Sequence, residues 1–284
     1  MHMNEKMIKD NEVKICAESF GDSADPAILL IMGAMASMVW WPEEFCIRLA
    51  DQRSYVIRYD HRDTGRSTSY EPGRLSYSVE DMADDVIRVL DAYEISHAHL
   101  VGMSLGGFLA QLVALKHQER ALTLTMIASE RLASADPSMP PIDPKVHAYH
   151  AQGATLDWSD RQAVIEYMIG GWRLIAGSGR PFDEETILAM AVQEVERADN
   201  ILTSMNHALL TGGERWLDRL AEIQVPALVI HGTEDPVLPY AHGVALQKEL
   251  PQATLLTLTG AGHELHRDDW DIIIGAILSH TSSS

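Results

Sequence analysis

The sequence predicts one large α/β domain: a mostly parallel, doubly wound sheet with a helical cap inserted between two of its strands. Three observations carry this. Short apolar runs recur along the chain with helix-like stretches between them, an alternation that builds a sheet covered by helices. Most of the runs are continuously apolar, as strands buried on both faces require. The alternation then breaks once, where helical patterns and a Pro-rich loop replace it.

Taken in order, EVKICAESF (12–20) alternates more than the later runs and is expected as an antiparallel edge strand. AILLIMG (27–33) and SYVIRYD (54–60) are short, apolar and followed by turn residues. Ser78 and Asp81 have the spacing of a capping box, and Met82, Val86, Val89, Leu90 and Tyr93 then fall on roughly one helical face. The strand HAHLVG (97–102) leads into the helix FLAQLVALKH (108–117), and LTLTMIAS (122–129) is the next strand. RLASADPSMPPIDPK (131–145) is a loop by composition. SDRQAVIEYMIGGWRLI and DEETILAMAVQEVERADNILTSMN read as helices. ALVIHG (227–232), the helix AHGVALQKEL (241–250) and ATLLTLT (253–259) resume the series, and the tail SHTSSS is expected to fray. The division that follows is a first part of the core over 1–129, a helical cap over 130–216 and a second part of the core over 217–284.

The 284 residues suffice for such a domain, with 46% hydrophobic residues to fill its core. A net charge of −19, from 41 acidic against 22 basic residues, repels phosphate backbones and anionic lipid, so neither nucleic acid nor a membrane surface is expected as a partner. The two cysteines, Cys16 and Cys46, have no metal-like spacing and are expected as core thiols in a reducing compartment. The start, MHMNEKMIKDNEVK, lacks the apolar stretch of a secretory leader, and no run is long enough to span a bilayer. A cytoplasmic location is the expectation. Composition does not fix the oligomeric state.

Within HLVGMSLGGFLAQ a strand stops at Gly102-Met103-Ser104-Leu105-Gly106 and becomes a helix at once. This is G-x-S-x-G in the strand–turn–helix context that marks a nucleophile elbow; the competing reading is an ordinary small-residue helix start. Small residues two before and two after the serine let the turn close against neighbouring backbone. The turn lifts the hydroxyl clear of the sheet and points the first helical N–H groups at the reacting centre. A serine hydroxyl needs a base to take its proton and a carboxylate to orient that base. On such an elbow the partners follow in the order Ser, acid, His. Among 13 histidines, His263 in GAGHE follows the strand ATLLTLT, while His266 lies nearer the next helix and reads as a surface residue. Asp235 in HGTEDPVLP follows ALVIHG; Glu234 beside it and Glu130 after LTLTMIAS are the alternatives. The oxyanion hole is expected from the backbone N–H groups of Leu105 and of Ala34, with Met35 as the next choice.

Asp60, His61, Arg62, Asp63 and Arg66 crowd the loop after SYVIRYD and are expected to brace neighbouring loops rather than form a second site. The cap carries His147, Tyr149, His150, Trp158, Tyr167, Met168, Trp172 and Arg173, any of which could face the nucleophile or only pack. The same choice stands for Trp40 and Trp41.

With these pieces assembled, the chain resembles the α/β-hydrolase superfamily over nearly its whole length, through IMGAMAS, YDHRDTGRST, GMSLGG, HGTEDPVLP and GAGHE. YDHRDTGRS, and Met-Gly where His-Gly is common, look like the aclacinomycin methylesterase group, which removes the methyl group from a carboxyl ester of an aromatic polyketide. Met32 departs from the usual His, but the work at that place falls to backbone. The resemblance implies a triad of Ser104, Asp235 and His263. The expected function is hydrolysis of a small to medium carboxylic ester through an acyl-enzyme on Ser104, with no metal or organic cofactor. Two alternatives remain open at this point: cofactor-free haloperoxidase or perhydrolase activity on the same triad, and a ligand receptor with a vestigial one.

Overall fold

The computed structural model describes residues 5–282. Eight strands form one sheet: β1 (Glu5–Asp10), β2 (Val13–Phe20), β3 (Ala27–Ile31), β4 (Tyr55–Tyr59), β5 (Ala98–Met103), β6 (Ala121–Ile127), β7 (Ala227–Gly232) and β8 (Ala253–Leu258), in the order β1-β2-β4-β3-β5-β6-β7-β8. β1 pairs antiparallel with β2 and β2 with β4; all other pairs are parallel. The helices are α1 (Glu43–Ala50), α2 (Val79–Ala92), α3 (Leu105–Lys116), α4 (Pro144–His150), α5 (Arg161–Ile175), α6 (Glu184–Arg197), α7 (Ala241–Glu249) and α8 (Trp270–Ser282).

β2 is antiparallel as expected, but it is not the edge. The edge is β1, and EKMIKD hides that role because four of its six residues are charged and Ile8 is its one buried position. Charges suit an edge strand, since they discourage pairing with another chain. The inner strands are buried on both faces, and successive residues serve opposite layers. Leu29 and Ile31 join the core under α2, α3 and α7, while Ile28 and Leu30 join the core under α1 and α8. The capping box of α2 is present: Ser78 Oγ accepts the Asp81 N–H, and Asp81 Oδ2 accepts the Ser78 N–H at 2.8 Å.

The chain leaves β3 for β4 on one side and returns to β5 on the other. The carboxyl ends of β3 and β5 therefore flank the point where the connections diverge, which is where open α/β sheets bind ligands.

Between β6 and β7 the described chain contains no strand. It holds α4, α5, α6 and a 3-10 stretch over Ile201–Leu209. Two local expectations are corrected here. The Pro-rich tract is loop only as far as Asp143, which caps α4 by accepting the Lys145 N–H at 2.8 Å, with Pro144 in the first turn where a missing donor costs nothing. The long pattern from Asp183 breaks at Ala198, and Asn200 caps the 3-10 stretch that follows. A third correction concerns the tail. Instead of fraying, it continues α8 to Ser282, with His280 Nε2 donating to Leu124 O at 3.2 Å; residues 283–284 lie outside the described range.

The charged loop after β4 braces its surroundings. Arg62 grips Asp85 through two nitrogens at 2.6 and 2.9 Å. Asp60 accepts the Met38 and Arg66 N–H groups and pairs with Arg197 at 2.7 Å, tying α6 to the sheet. Asp63 accepts from Tyr70 N, Tyr77 Oη and Asn206 Nδ2. Charge-assisted bonds of this kind are the strong ones, and a buried pair broken on one side is costly. Among the described residues, no helix is long and apolar enough to cross a membrane.

Candidate active site

A single residue, Ser104, joins β5 to α3. Its φ of +52° and ψ of −118° lie outside the regions a non-glycine residue prefers, and the surroundings hold it there. Ser104 N–H donates to Ile127 O at 2.9 Å, and Ser129 Oγ donates to Ser104 O at 2.9 Å. The two glycines of the motif are required by contact. A Cβ on Gly102 would lie 2.2 Å from the Gly106 carbonyl, and one on Gly106 only 2.0 Å from Ile31 O. The turn is tight on both sides, and β3 is pressed against it.

β7 and β8 deliver the other two residues. Asp235 and His263 are both buried, and His263 Nδ1 donates to Asp235 Oδ2 at 2.7 Å. Asp235 Oδ1 accepts the N–H groups of Val237 and Leu238, both at 2.8 Å. Burial pushes the Asp235 carboxyl up, but His263, His231 and the backbone donors outweigh it and hold the carboxyl well below the usual range. The acid stays ionised and fixes the ring through Nδ1, leaving His263 Nε2 outside that bond. A loop of the helical segment clasps this turn: His263 N–H donates to Ile175 O at 2.8 Å, and Gly179 N–H to Gly260 O at 2.9 Å.

The alternatives go elsewhere. Glu130 faces His242 at 3.6 Å, and Glu234 binds the backbone and hydroxyl of Ser178. His266 donates to Pro181 O and accepts the Asp268 N–H. Met35 N–H is already given to His207 Nδ1 at 2.8 Å, so it is not available to a ligand. Ala34 lies exposed on the cavity wall, and Leu105 opens α3, where the first N–H groups have no partner within the helix. Cys16 and Cys46 are buried thiols outside any disulfide, each pushed up to about 12 by burial above all.

Ser104, His263 and Ala34 line one cavity of about 250 Å³. Its walls come from both parts of the chain: Met32, Met35, Trp40 and Met103 from the sheet side, and Tyr149, Trp158, Tyr167, Met168 and Trp172 from the helical segment. Among the described residues, no Asp, Glu, Lys or Arg lines it. Trp40 stacks on Trp172 with ring centres 4.3 Å apart, whereas Trp41 packs on Phe45 in the core. Of the ambiguous residues, His147 and Arg173 stay off the wall, Arg173 pairing with Glu184 at 2.9 Å.

Three further histidines lie near these groups, beyond the expected site residues. His231 lies beneath Asp235, Nε2 to Oδ2 at 3.5 Å, and donates to Leu238 O at 2.7 Å. Its place four residues before Asp235 is the signal in the sequence that marks it. His61 and His207 flank the Met32–Met35 turn; His207 comes from a distant segment, and nothing local marks it.

The sheet order, the one-residue elbow and the acid and histidine on successive strand ends are those of an α/β-hydrolase. Within that class the chain belongs to the serine aminopeptidase S33 family, whose model matches residues 23–269. It is 32% identical to rhodomycin D methylesterase of Streptomyces sp. (strain C5) and 31% identical to that of Streptomyces peucetius, each alignment covering 99% of both chains. It is 28% identical to a putative carbamate hydrolase of Pseudomonas savastanoi pv. phaseolicola, over 84% of this chain and 86% of that one. Among solved structures, an esterase from Exiguobacterium antarcticum superposes with a TM-score of 0.79 at 20% identity, covering 98% of this chain and 99% of the other. An N-acyl homoserine lactone degrading enzyme gives 0.75 at 26% identity, covering 96% and 99%.

Proposed function

We propose that this carboxylic ester hydrolase works through an acyl-enzyme on Ser104. The observation that carries the reading is the Asp235–His263 pair opening onto the same apolar cavity as the elbow serine. His263 Nε2 takes the proton from Ser104 Oγ as the oxygen attacks the ester carbonyl. The resulting oxyanion is held by the N–H groups of Ala34 and Leu105. Collapse breaks the bond to the alkoxy group, which leaves as an alcohol with the proton from His263. Water, deprotonated by His263, then attacks the acyl carbon and frees Ser104. Asp235 keeps the proton on Nδ1 and stabilises the imidazolium in both halves.

The residues over 130–216 act as the cap. Their aromatic rings enclose the cavity, exclude water and favour an uncharged small to medium ester over a peptide or a polymer, whose chain would have to thread past α5. The likeness to methylesterases favours a small alkoxy leaving group, the methoxy of a methyl ester. The reading needs no metal or organic cofactor, and two buried thiols outside any disulfide accord with a cytoplasmic enzyme.

A panel of esters varied separately in acyl and alkoxy size tests this. The expected result is turnover of uncharged esters, with kcat reduced by about 10³-fold or more in Ser104→Ala. Turnover near that of the parent in a folded Ser104→Ala protein would reject the mechanism.

A further inference from the structure

An oxyanion hole is useful only if its donors are fixed before charge develops. The turn that carries Ala34 has no regular structure to fix it, and Met35 within it has a φ of +63°, a left-handed conformation that a methionine rarely adopts. Two buried imidazoles hold it at either end. His61 Nε2 donates to Met32 O at 2.8 Å, and His207 Nδ1 accepts the Met35 N–H at 2.8 Å. His207 Nε2 in turn meets Arg62 O at 2.8 Å. A carbonyl oxygen can only accept, so Nε2 carries the proton and Nδ1 keeps the lone pair that Met35 needs. The two bonds therefore demand the same tautomer. The rings touch edge to face with centres 5.9 Å apart. Both are kept neutral: burial lowers His61 to about 3, aided by His207, and lowers His207 to about 4.

We propose that His207 and His61 are positioning residues for the oxyanion hole, clamping the Met32–Met35 turn so that the Ala34 N–H is held toward Ser104. His207 lies in the 3-10 stretch of the helical insertion, so the insertion completes the reaction machinery as well as covering it. The competing account is that the two rings only help seat the insertion on the core.

The inference rests on the Ser104 reading, and the experiment separates the two. Fluorophosphonate labelling of Ser104 in the unaltered protein is the first arm; a protein that turns over esters without labelling there rejects the Ser104 reading itself. The second arm compares His207→Leu with His207→Asn, whose side-chain oxygen can stand near the place of Nδ1. It is read by kcat, KM and affinity for a trifluoromethyl ketone, which forms an oxyanion on the serine. The expected result for His207→Leu is a kcat lower by about 30-fold or more, KM within about threefold, and ketone affinity reduced by a factor similar to that in kcat. His207→Asn should recover at least about tenfold of that loss. If His207→Leu does not fold, His61→Leu and His61→Gln read the other end of the clamp, the glutamine Nε2 restoring the donor to Met32 O. A folded leucine variant with unchanged kcat and ketone affinity, or a loss confined to KM, overturns the clamp while leaving Ser104 labelled.

Discussion

At Ser104 the backbone is strained, and the neighbouring residues make that strain possible. The strain is stable because Gly102 and Gly106 let three backbone segments meet where a methyl group would not fit. A Cβ at position 106 would confront Ile31 O at 2.0 Å and Met32 O at 2.7 Å, and neither carbonyl can retreat without moving the turn that bears Ala34. Gly106→Ala should therefore cost about 1–3 kcal/mol in urea unfolding and lower kcat as well; a stable, fully active alanine variant would contradict the close approach. Asp235→Asn should lower kcat by about 10³-fold or more, because an amide does not hold His263 in the working tautomer or stabilise its charged form. Glu130→Gln should change kcat by no more than about twofold, as expected of a side chain directed at His242. Steady-state kinetics on the two variants rank the acids, and the reverse order would move the acid to the end of β6.

At the scale of elements, α6 is the joint between insertion and core. Arg197 reaches Asp60 and Glu5, and the wholly buried Glu194 accepts a hydrogen bond from Ser37 Oγ. Burial raises the Glu194 carboxyl to about 7, against the pull of Ser37. A carboxyl raised on folding binds its proton more tightly in the folded state, so its effect has a definite sign. Stability is fully retained below the unfolded value near 4.5 and declines as pH rises through about 7. Glu194→Gln should remove that decline: urea unfolding at pH 5 and pH 8 should show the parent losing about 1–3 kcal/mol more than the variant. Equal slopes would mean that Glu194 ionises as readily in the folded protein as in the unfolded one. The elements also differ in how plainly the sequence announces them. β3, β5, β6 and β7 are visible because burial on both faces leaves runs that are mostly apolar. β1 is missed because an edge strand carries charge, and α1 because eight residues give barely two turns of pattern.

Across the whole molecule, the sheet's carboxyl edge carries Ser104, Asp235 and His263, and the insertion helps to wall the cavity that Ser104 and His263 line. Ser104, Asp235 and His263 are legible in the sequence because each follows a strand that announces itself. The clamp on the oxyanion turn is not, because His207 is 172 residues from Met35 and only the folded insertion brings them together. The cavity has a smaller neighbour of about 50 Å³, and Met32, Trp40, Met103 and Trp172 line both. Trp172→Ala should join the two spaces and raise kcat/KM for bulky-acyl esters relative to short ones by about tenfold, while fluorophosphonate still labels Ser104. An unchanged ester profile in the folded variant would make the ring a packing element only. The proposed covalent catalysis by Ser104 can be checked by acid-quenching the enzyme during turnover of a slowly deacylating ester and mapping the acyl mass by peptide mass spectrometry. The acyl group is expected on the peptide containing Ser104 and absent in Ser104→Ala; an acyl group on another residue would overturn covalent catalysis by Ser104.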